Sequence, residues 1–323
     1  MSIENTDREQ QFPITESRRP INPGAEKWLG VKIPVLDHGF LYLVDYMGND
    51  QSVEQAARVS YGAGTRSVNE TTGLVRYLRR HHHTTPFEMA VLKIHAKMPI
   101  VVARQWVRHR TASINEESAR YSILSNEFYI PEPSVIGVQA SSNRQGRGET
   151  VDLEYAEQFR KDLEANSVSQ YDLYDYYLNS TEDGKQEDVE RPMIARELAR
   201  LPLGVNVYTQ WYWEANLHNI FHFLALRADP HAQYEIRVYA EAMAKIIEDA
   251  FPISWKAFED YEMKATQLTL PEKTVLTTLL NGNVQFTKSD ILTVADSQGL
   301  TNKRERQELL DKFKSLGLIK ENI

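Results

Sequence analysis

Between Pro86 and Ile100 the chain reads PFEMAVLKIHAKMPI. Ala90, Leu92, Ile94, Ala96 and Met98 fall on one side of an extended backbone, and Lys93, His95 and Lys97 fall on the other. At about 3.6 residues per turn a helix would scatter the same apolar residues around its surface. The alternation predicts a half-buried strand. Upstream, KIPVL and GFLYLVDYM read as two short strands around Asp37, His38 and Gly39, and SVEQAARVS and ETTGLVRYLRRHH read as helices. Downstream, Pro99 precedes a helix, IVVARQWVRHR; TASINEE reads as a loop, SNEFYIPEP as a short strand ended by prolines, and GVQASSNRQGRGE as a loop. Helices then dominate, at about 149–180, 187–200, 206–227 and 231–250. Strands followed by helices argue for an α+β fold with an antiparallel or mixed sheet, against a doubly wound parallel one.

The pattern separates three regions. Residues 1–32 are polar and proline-containing, and are expected to be a flexible arm. Residues 33–262 have globular patterning. Residues 263–323 read as three helices and a short final strand, a winged-helix-like appendage expected to be dispensable for chemistry. Charge in the appendage is nearly balanced, and the whole chain carries a formal net charge of -8. Neither suits sequence-independent binding to nucleic acid. Cysteine is absent from all 323 residues, which excludes disulfides, thiolate metal sites and a cysteine nucleophile. No leading signal segment and no apolar run long enough for a membrane are evident, so a cytoplasmic protein is expected.

Charge concentrates in RHRTASINEESARY, residues 108–121. Arg104 and Arg108 are four apart at the end of the predicted helix and would share a face. A solvated surface with Arg–Glu pairs is the plain interpretation of such a run. Three features weigh against it. The arginines follow an apolar helix, the cluster uses Arg without Lys, and small hydroxyl residues interleave with the charges. Arg matches planar phosphate or carboxylate groups bidentately, so an anion site is expected.

The spacing Arg108-His109-Arg110, seven residues, then Ser118 resembles the signature of flavin-dependent thymidylate synthases. AARVSY (56–61), HHHTTPFE (81–88) and LRADPHAQYEIRVYA (226–240) resemble further motifs of that family, in the same order. The resemblance implies the family's α/β fold and a homotetramer with active sites at subunit interfaces. It implies methylation of dUMP to dTMP, with 5,10-methylenetetrahydrofolate as carbon donor, FAD as cofactor and NADPH as reductant. It assigns Ser60, His83, Thr85, Glu88, Arg108, His109, Arg110, Glu116, Asn216, His218, His222 and His231 to the flavin. It assigns Gln105, Arg108, Glu116, Glu117, Ser118, Ala119, Arg120, Arg200 and Arg227 to dUMP. Arg227 is the expected catalytic group, polarising the uracil. Arg196 is the alternative to Arg200, because Pro202 follows Arg200 sooner than the family pattern has it.

Other readings of the same residues remain open. Ser118 could be a nucleophile, but no base is evident beside it, and phosphate binding is the better fit. His81, His83, His218 and His222 could hold a metal, yet Asn219 stands where the H-E-x-x-H motif places its glutamate, so no metal is expected. His82 reads as a plain surface residue. A nucleic-acid-binding regulator built on the appendage is the third class.

Overall fold

The computed structural model describes residues 20–60, 71–141, 146–181, 183–280 and 284–319. In chain order come α1 (Pro23–Glu26), β1 (Ile33–Val35), β2 (Gly39–Met47), α2 (Asp50–Val59), α3 (Thr71–Arg80), α4 (Thr85–Glu88), β3 (Val91–Pro99) and α5 (Ile100–Trp106). Then follow β4 (Ser113–Glu116), β5 (Gly137–Gln139), β6 (Arg147–Thr150), α6 (Leu153–Leu178), α7 (Arg196–Ala199), β7 (Tyr208–Asn216), α8 (Leu217–Arg227) and α9 (Tyr234–Ala250). The last elements are α10 (Pro252–Phe258), α11 (Leu270–Leu280), α12 (Lys288–Ser297) and α13 (Lys303–Ser315). The chain divides into two compact units: Met1–Arg66 with Thr84–Lys256, and Ser67–His83 with Ala257–Ile323.

The larger unit is built on a five-stranded sheet in the order β1-β2-β3-β7-β4, with every pairing antiparallel. β3 lies at the centre, and its expected apolar face is the buried one: Leu92, Ile94, Ala96 and Met98 are fully enclosed. The register sets Ile94 opposite Trp213 and Ala96 opposite Trp211, so the small Ala96 leaves room for the Trp211 indole. Trp106 of α5 packs against both, at ring separations of 5.5 and 5.8 Å, and stacks on Phe223 of α8 at 4.8 Å. Truncating one such enclosed Trp costs about 3–5 kcal/mol, so this cluster is a principal hold between sheet and helices. Gly39 opens β2 because nothing larger fits: a Cβ there would lie 2.1 Å from the Tyr239 hydroxyl and 2.6 Å from the Val35 carbonyl.

Several expectations change. The helix expected over 206–227 is a strand and a helix, β7 and α8, and Asn216 is the joint, its side chain accepting from the Asn219 amide at 3.0 Å. Over 187–200 only the single turn α7 is helical. The segment SINE, expected in a loop, is the edge strand β4, and the expected 137–149 loop contains the β5–β6 hairpin. Phe128 makes only an isolated bridge to Val207, not a strand. α5 ends at Trp106, so Arg108 lies past the helix instead of on one helical face with Arg104. Of the expected flexible arm, residues 20–32 pack: Asn22 is buried, caps α1 and donates to the Ala250 carbonyl at 2.8 Å.

The smaller unit joins α3 to the appendage. Arg76 binds Asp260 at 2.7 Å and Glu305 at 3.2 Å, Arg79 binds Glu262 at 2.6 Å, and Arg80 binds Glu308. Glu308 also accepts from His81 at 2.9 Å, and Arg80 leads the causes that hold its carboxyl at about 2. Ile291, Leu310 and Ile319 form the small core of the appendage, where the expected final strand is a single parallel bridge between Phe286 and Ile319. His82 has a definite local role. It ends α3 in the left-handed region, φ 57°, with its N–H on the Arg79 carbonyl and the His83 N–H on that of Leu78. These are the two bonds of a Schellman cap, a position that glycine usually occupies.

Candidate active site

The edge strand β4 leads directly into the expected nucleotide loop. The Glu117 amide donates to the Gln210 carbonyl at 2.8 Å, and the Thr209 hydroxyl donates to the Glu116 carboxylate at 2.9 Å, so β7 holds both glutamates. The chain then folds tightly: the amides of Tyr121 and Ser122 both donate to the Ser118 carbonyl at 2.9 Å, and the Arg120 amide donates to Ser118 Oγ at 3.3 Å. Glu116, Glu117, Ser118, Ala119, Thr209 and Arg200 line one cavity of about 380 Å³. Beneath it, Ala119, Leu124 and Val207 form an apolar floor. Arg200 has no carboxylate partner among the described residues. The alternative arginine is engaged elsewhere, because Arg196 donates to the Tyr121 carbonyl. Arg120 is exposed and ion-pairs with Glu197 at 3.3 Å.

A second group gathers where α5, β7 and α8 meet. His109 is buried, its ring 5.9 Å from Trp213, 5.7 Å from Phe223 and 5.5 Å from His222. One ring nitrogen lies 3.2 Å from the Thr111 hydroxyl. Burial, then the nearby His222 and Arg227, push the imidazolium down to about 4. Burial also lowers the pKa of Arg227, which has no acidic partner among the described residues. Arg108 and Arg110 flank His109 on the surface, likewise without carboxylate partners there. Gln105 keeps a buried Oε1 that finds no hydrogen-bond partner among the described residues. α4, carrying Thr85 and Glu88, packs against both α2, whose C-cap is Ser60, and α8, which carries His218 and His222.

Not every expected residue joins these groups. His231 is exposed, binds Asp229 at 2.9 Å and lines a different cavity, beside the β5–β6 hairpin. His83 lies in the smaller unit, just past the cap of α3. Among the described residues no three His, Cys, Asp or Glu side chains are arranged to hold a metal ion. Three residues here are not marked by the sequence: Thr209 and Gln210, whose expected element is a helix, and Thr111, which reads only as a loop residue.

Two bare arginines beside a buried imidazole, with an unpartnered buried amide oxygen one turn back, suit a ligand that has a pyrophosphate and a ring edge offering acceptors and donors. The residues present therefore fit FAD. The depressed His109 pKa has a measurable consequence. The folded-state value lies below the unfolded value of about 6.5, so folding disfavours the proton. The neutral ring's contribution is complete above pH 6.5 or so and is lost as pH falls toward about 4. His109→Gln is expected to flatten the fall in unfolding free energy across that window. Parallel slopes for variant and parent in denaturant titrations at several pH values would count against a buried neutral imidazole.

The thymidylate synthase complementing protein family model matches residues 42–253. A flavin-dependent thymidylate synthase of Ruegeria pomeroyi is 53% identical over 260 residues, 80% of this chain and 83% of the relative. One of Rickettsia bellii is 48% identical over 294 residues, covering 91% and 97%. Among solved structures, the UMP/dUMP methylase PolB of Streptomyces cacaoi, bound with 5-Br UMP, superposes with a TM-score of 0.62 at 30% identity, covering 72% of this chain and 99% of that one. Agreement of this breadth, over the segment that holds both residue groups, shows that the chain belongs to the flavin-dependent thymidylate synthase family.

Proposed function

We propose that this protein makes dTMP by reductive methylation of dUMP at C5, as a cytoplasmic homotetramer whose active sites combine residues of neighbouring subunits. The carbon comes from 5,10-methylenetetrahydrofolate and the reducing power from NADPH; FAD, when bound, supplies the redox chemistry. The observation that carries this reading is the cavity shared by Ser118 and Arg200, an arginine with no carboxylate partner among the described residues. A hydroxyl, a tight turn and a guanidinium without a counter-ion are suited to a nucleotide phosphate. Arg108, His109, Arg110 and Asn216 would hold the flavin, with Ser60, Thr85, Glu88, His218 and His222 on packed neighbouring elements.

The chain's own groups have distinct tasks. His109 is neutral at working pH, so it can orient a ligand by donating or accepting without adding charge. Arg227 stays protonated and can stabilise a pyrimidine anion without titrating. Ser118 Oγ accepts from the Arg120 amide, and among the described residues no imidazole or carboxylate is bonded to it. A hydroxyl in that setting binds phosphate and does not attack the base. Tetramer formation is supported by large apolar side chains exposed along α6, including Leu153, Tyr155, Leu173 and Tyr176. No helix among the described residues is long and apolar enough to cross a membrane.

The test is direct. Purified protein should be yellow, scatter light as a tetramer at micromolar concentration, and convert dUMP to dTMP only when methylenetetrahydrofolate and NADPH are both present. A colourless, monomeric protein that forms no dTMP after incubation with FAD would overturn the proposal.

A further inference from the structure

α7 is a single turn, yet two of its side chains and its cap residue address one loop. Arg200 faces the cavity with Ser118. Glu197 pairs with Arg120. Arg196 donates to the carbonyl of Tyr121 and lines a neighbouring cavity of about 590 Å³ together with Tyr121 and Ser122. The far end of the loop is held separately: the Leu124 amide donates to Tyr174 at 3.2 Å, and Tyr171 donates to the Leu124 carbonyl at 2.8 Å. Ala199, Leu178 and Tyr174 form the apolar base on which α6 and α7 meet, with Ile123 of the loop packed against it. The near end is held by the pairing of β4 and Glu117 with β7. Between these two anchors lies the stretch whose turn geometry sets the direction of the Ser118 hydroxyl and the loop amides.

We infer that Arg196 is a positioning residue for nucleotide binding: it grips the Tyr121 carbonyl and keeps the Ser118–Ser122 turn in its binding shape, while Arg200 meets the nucleotide. This rests on the proposed function, since it assigns the loop to dUMP. The chemistry favours division of labour between the two arginines. Arg196 has a donor committed to a backbone carbonyl, and a charged donor to a carbonyl is a firm local restraint. Among the described residues Arg200 has no such commitment, which leaves its fork for an anion. An unrestrained loop would lose conformational freedom only when ligand binds, and that ordering would weaken affinity.

The experiment compares wild type, Arg196→Ala, Arg196→Lys and Arg200→Ala as full-length proteins. Calorimetry measures the dUMP Kd, and hydrogen exchange follows the peptide carrying the Tyr121 and Ser122 amides in the nucleotide-free state. Arg196→Ala should bind dUMP about tenfold more weakly, exchange those amides faster without ligand, and bind FAD as wild type does. Its KM for dUMP should rise while kcat holds. Arg196→Lys, which can still donate to the carbonyl, should recover part of both effects and serves as the test if the alanine variant fails to fold. Arg200→Ala should weaken dUMP binding with loop exchange unchanged. Unchanged exchange in both Arg196 variants, or faster exchange with dUMP affinity intact, would overturn the inference. Failure of wild type to bind dUMP at all would instead remove the function on which it rests.

Discussion

Ending the chain after Tyr261 is expected to destabilise the unit that contains α3 by about 3–5 kcal/mol, the usual cost of stripping one partner from a buried ion pair. The appendage looked separable because its sequence lies beyond the family motifs. Its carboxylates are nevertheless the counter-ions of α3. Arg79 is 5% exposed and its partner is Glu262, the first residue such a truncation removes. Glu305 and Glu308, the partners of Arg76 and Arg80, go with it, and only Asp260 of that set remains. Urea denaturation of the full and shortened chains, followed by helical circular dichroism, measures the loss. Introducing Arg79→Met into the shortened chain should restore part of it, because the buried guanidinium that has lost Glu262 is then gone. Equal midpoints for full and shortened chains would show that the ion pairs contribute nothing and that the appendage is dispensable after all.

That dependence could not be seen in the sequence, and the reason is instructive. Local patterning exposes what a segment does with its own neighbours in the chain. β3 was legible because a half-buried strand alternates, and each of its buried residues is marked by its parity. β7 alternates too, with Tyr212 and Glu214 outward and Trp211, Trp213 and Ala215 inward. It runs without a break into the apolar residues of α8, so the helical period of Leu217, Ile220 and Leu224 masked it. Asn216 was the available signal, since a capping Asn marks a helix start whatever precedes it. β4 has only four residues at a sheet edge, and its strand character comes from pairing with β7. The arginines of α3 and the glutamates of α13 are more than two hundred residues apart. Each reads alone as a solvated charge.

The candidate site is marked in the sequence by contiguous motifs. The expected nucleotide loop rests on its motif, and one cavity joins it to Arg200. Thr209 carries no motif and Arg196 reads only as the alternative to Arg200, because they act on carboxylate or backbone groups that only the tertiary arrangement brings to them. The expected flavin residues rest on the resemblance alone. What the structure adds is the environment of His109 and Arg227, one held neutral by burial and one cationic without an acidic partner among the described residues.

Arg227 is therefore expected to carry the largest single effect on turnover. Its guanidinium is partly desolvated, lacks an acidic partner among the described residues, and lies close enough to His109 to depress the imidazolium. An arginine left in that condition is suited to an anionic ring. Losing one member of a desolvated charged pair costs about 2–5 kcal/mol, which is roughly thirtyfold to several-thousandfold in kcat/KM for dUMP. Arg227→Ala should show that loss while remaining yellow, and Arg227→Lys should recover little, because an ammonium keeps the charge without the planar fork. Ser118→Ala should cost less, about 1.5–3 kcal/mol for a hydrogen bond to a charged phosphate, and should still turn over at saturating dUMP. Single-turnover dTMP formation separates the two variants, and mass spectrometry of quenched wild-type protein looks for any nucleotide adduct. With no cysteine in the chain, an adduct would have to form on another side chain. A nucleotide found covalently on Ser118, with chemistry abolished in Ser118→Ala at saturating substrate, would transfer the activating role from Arg227 to the serine.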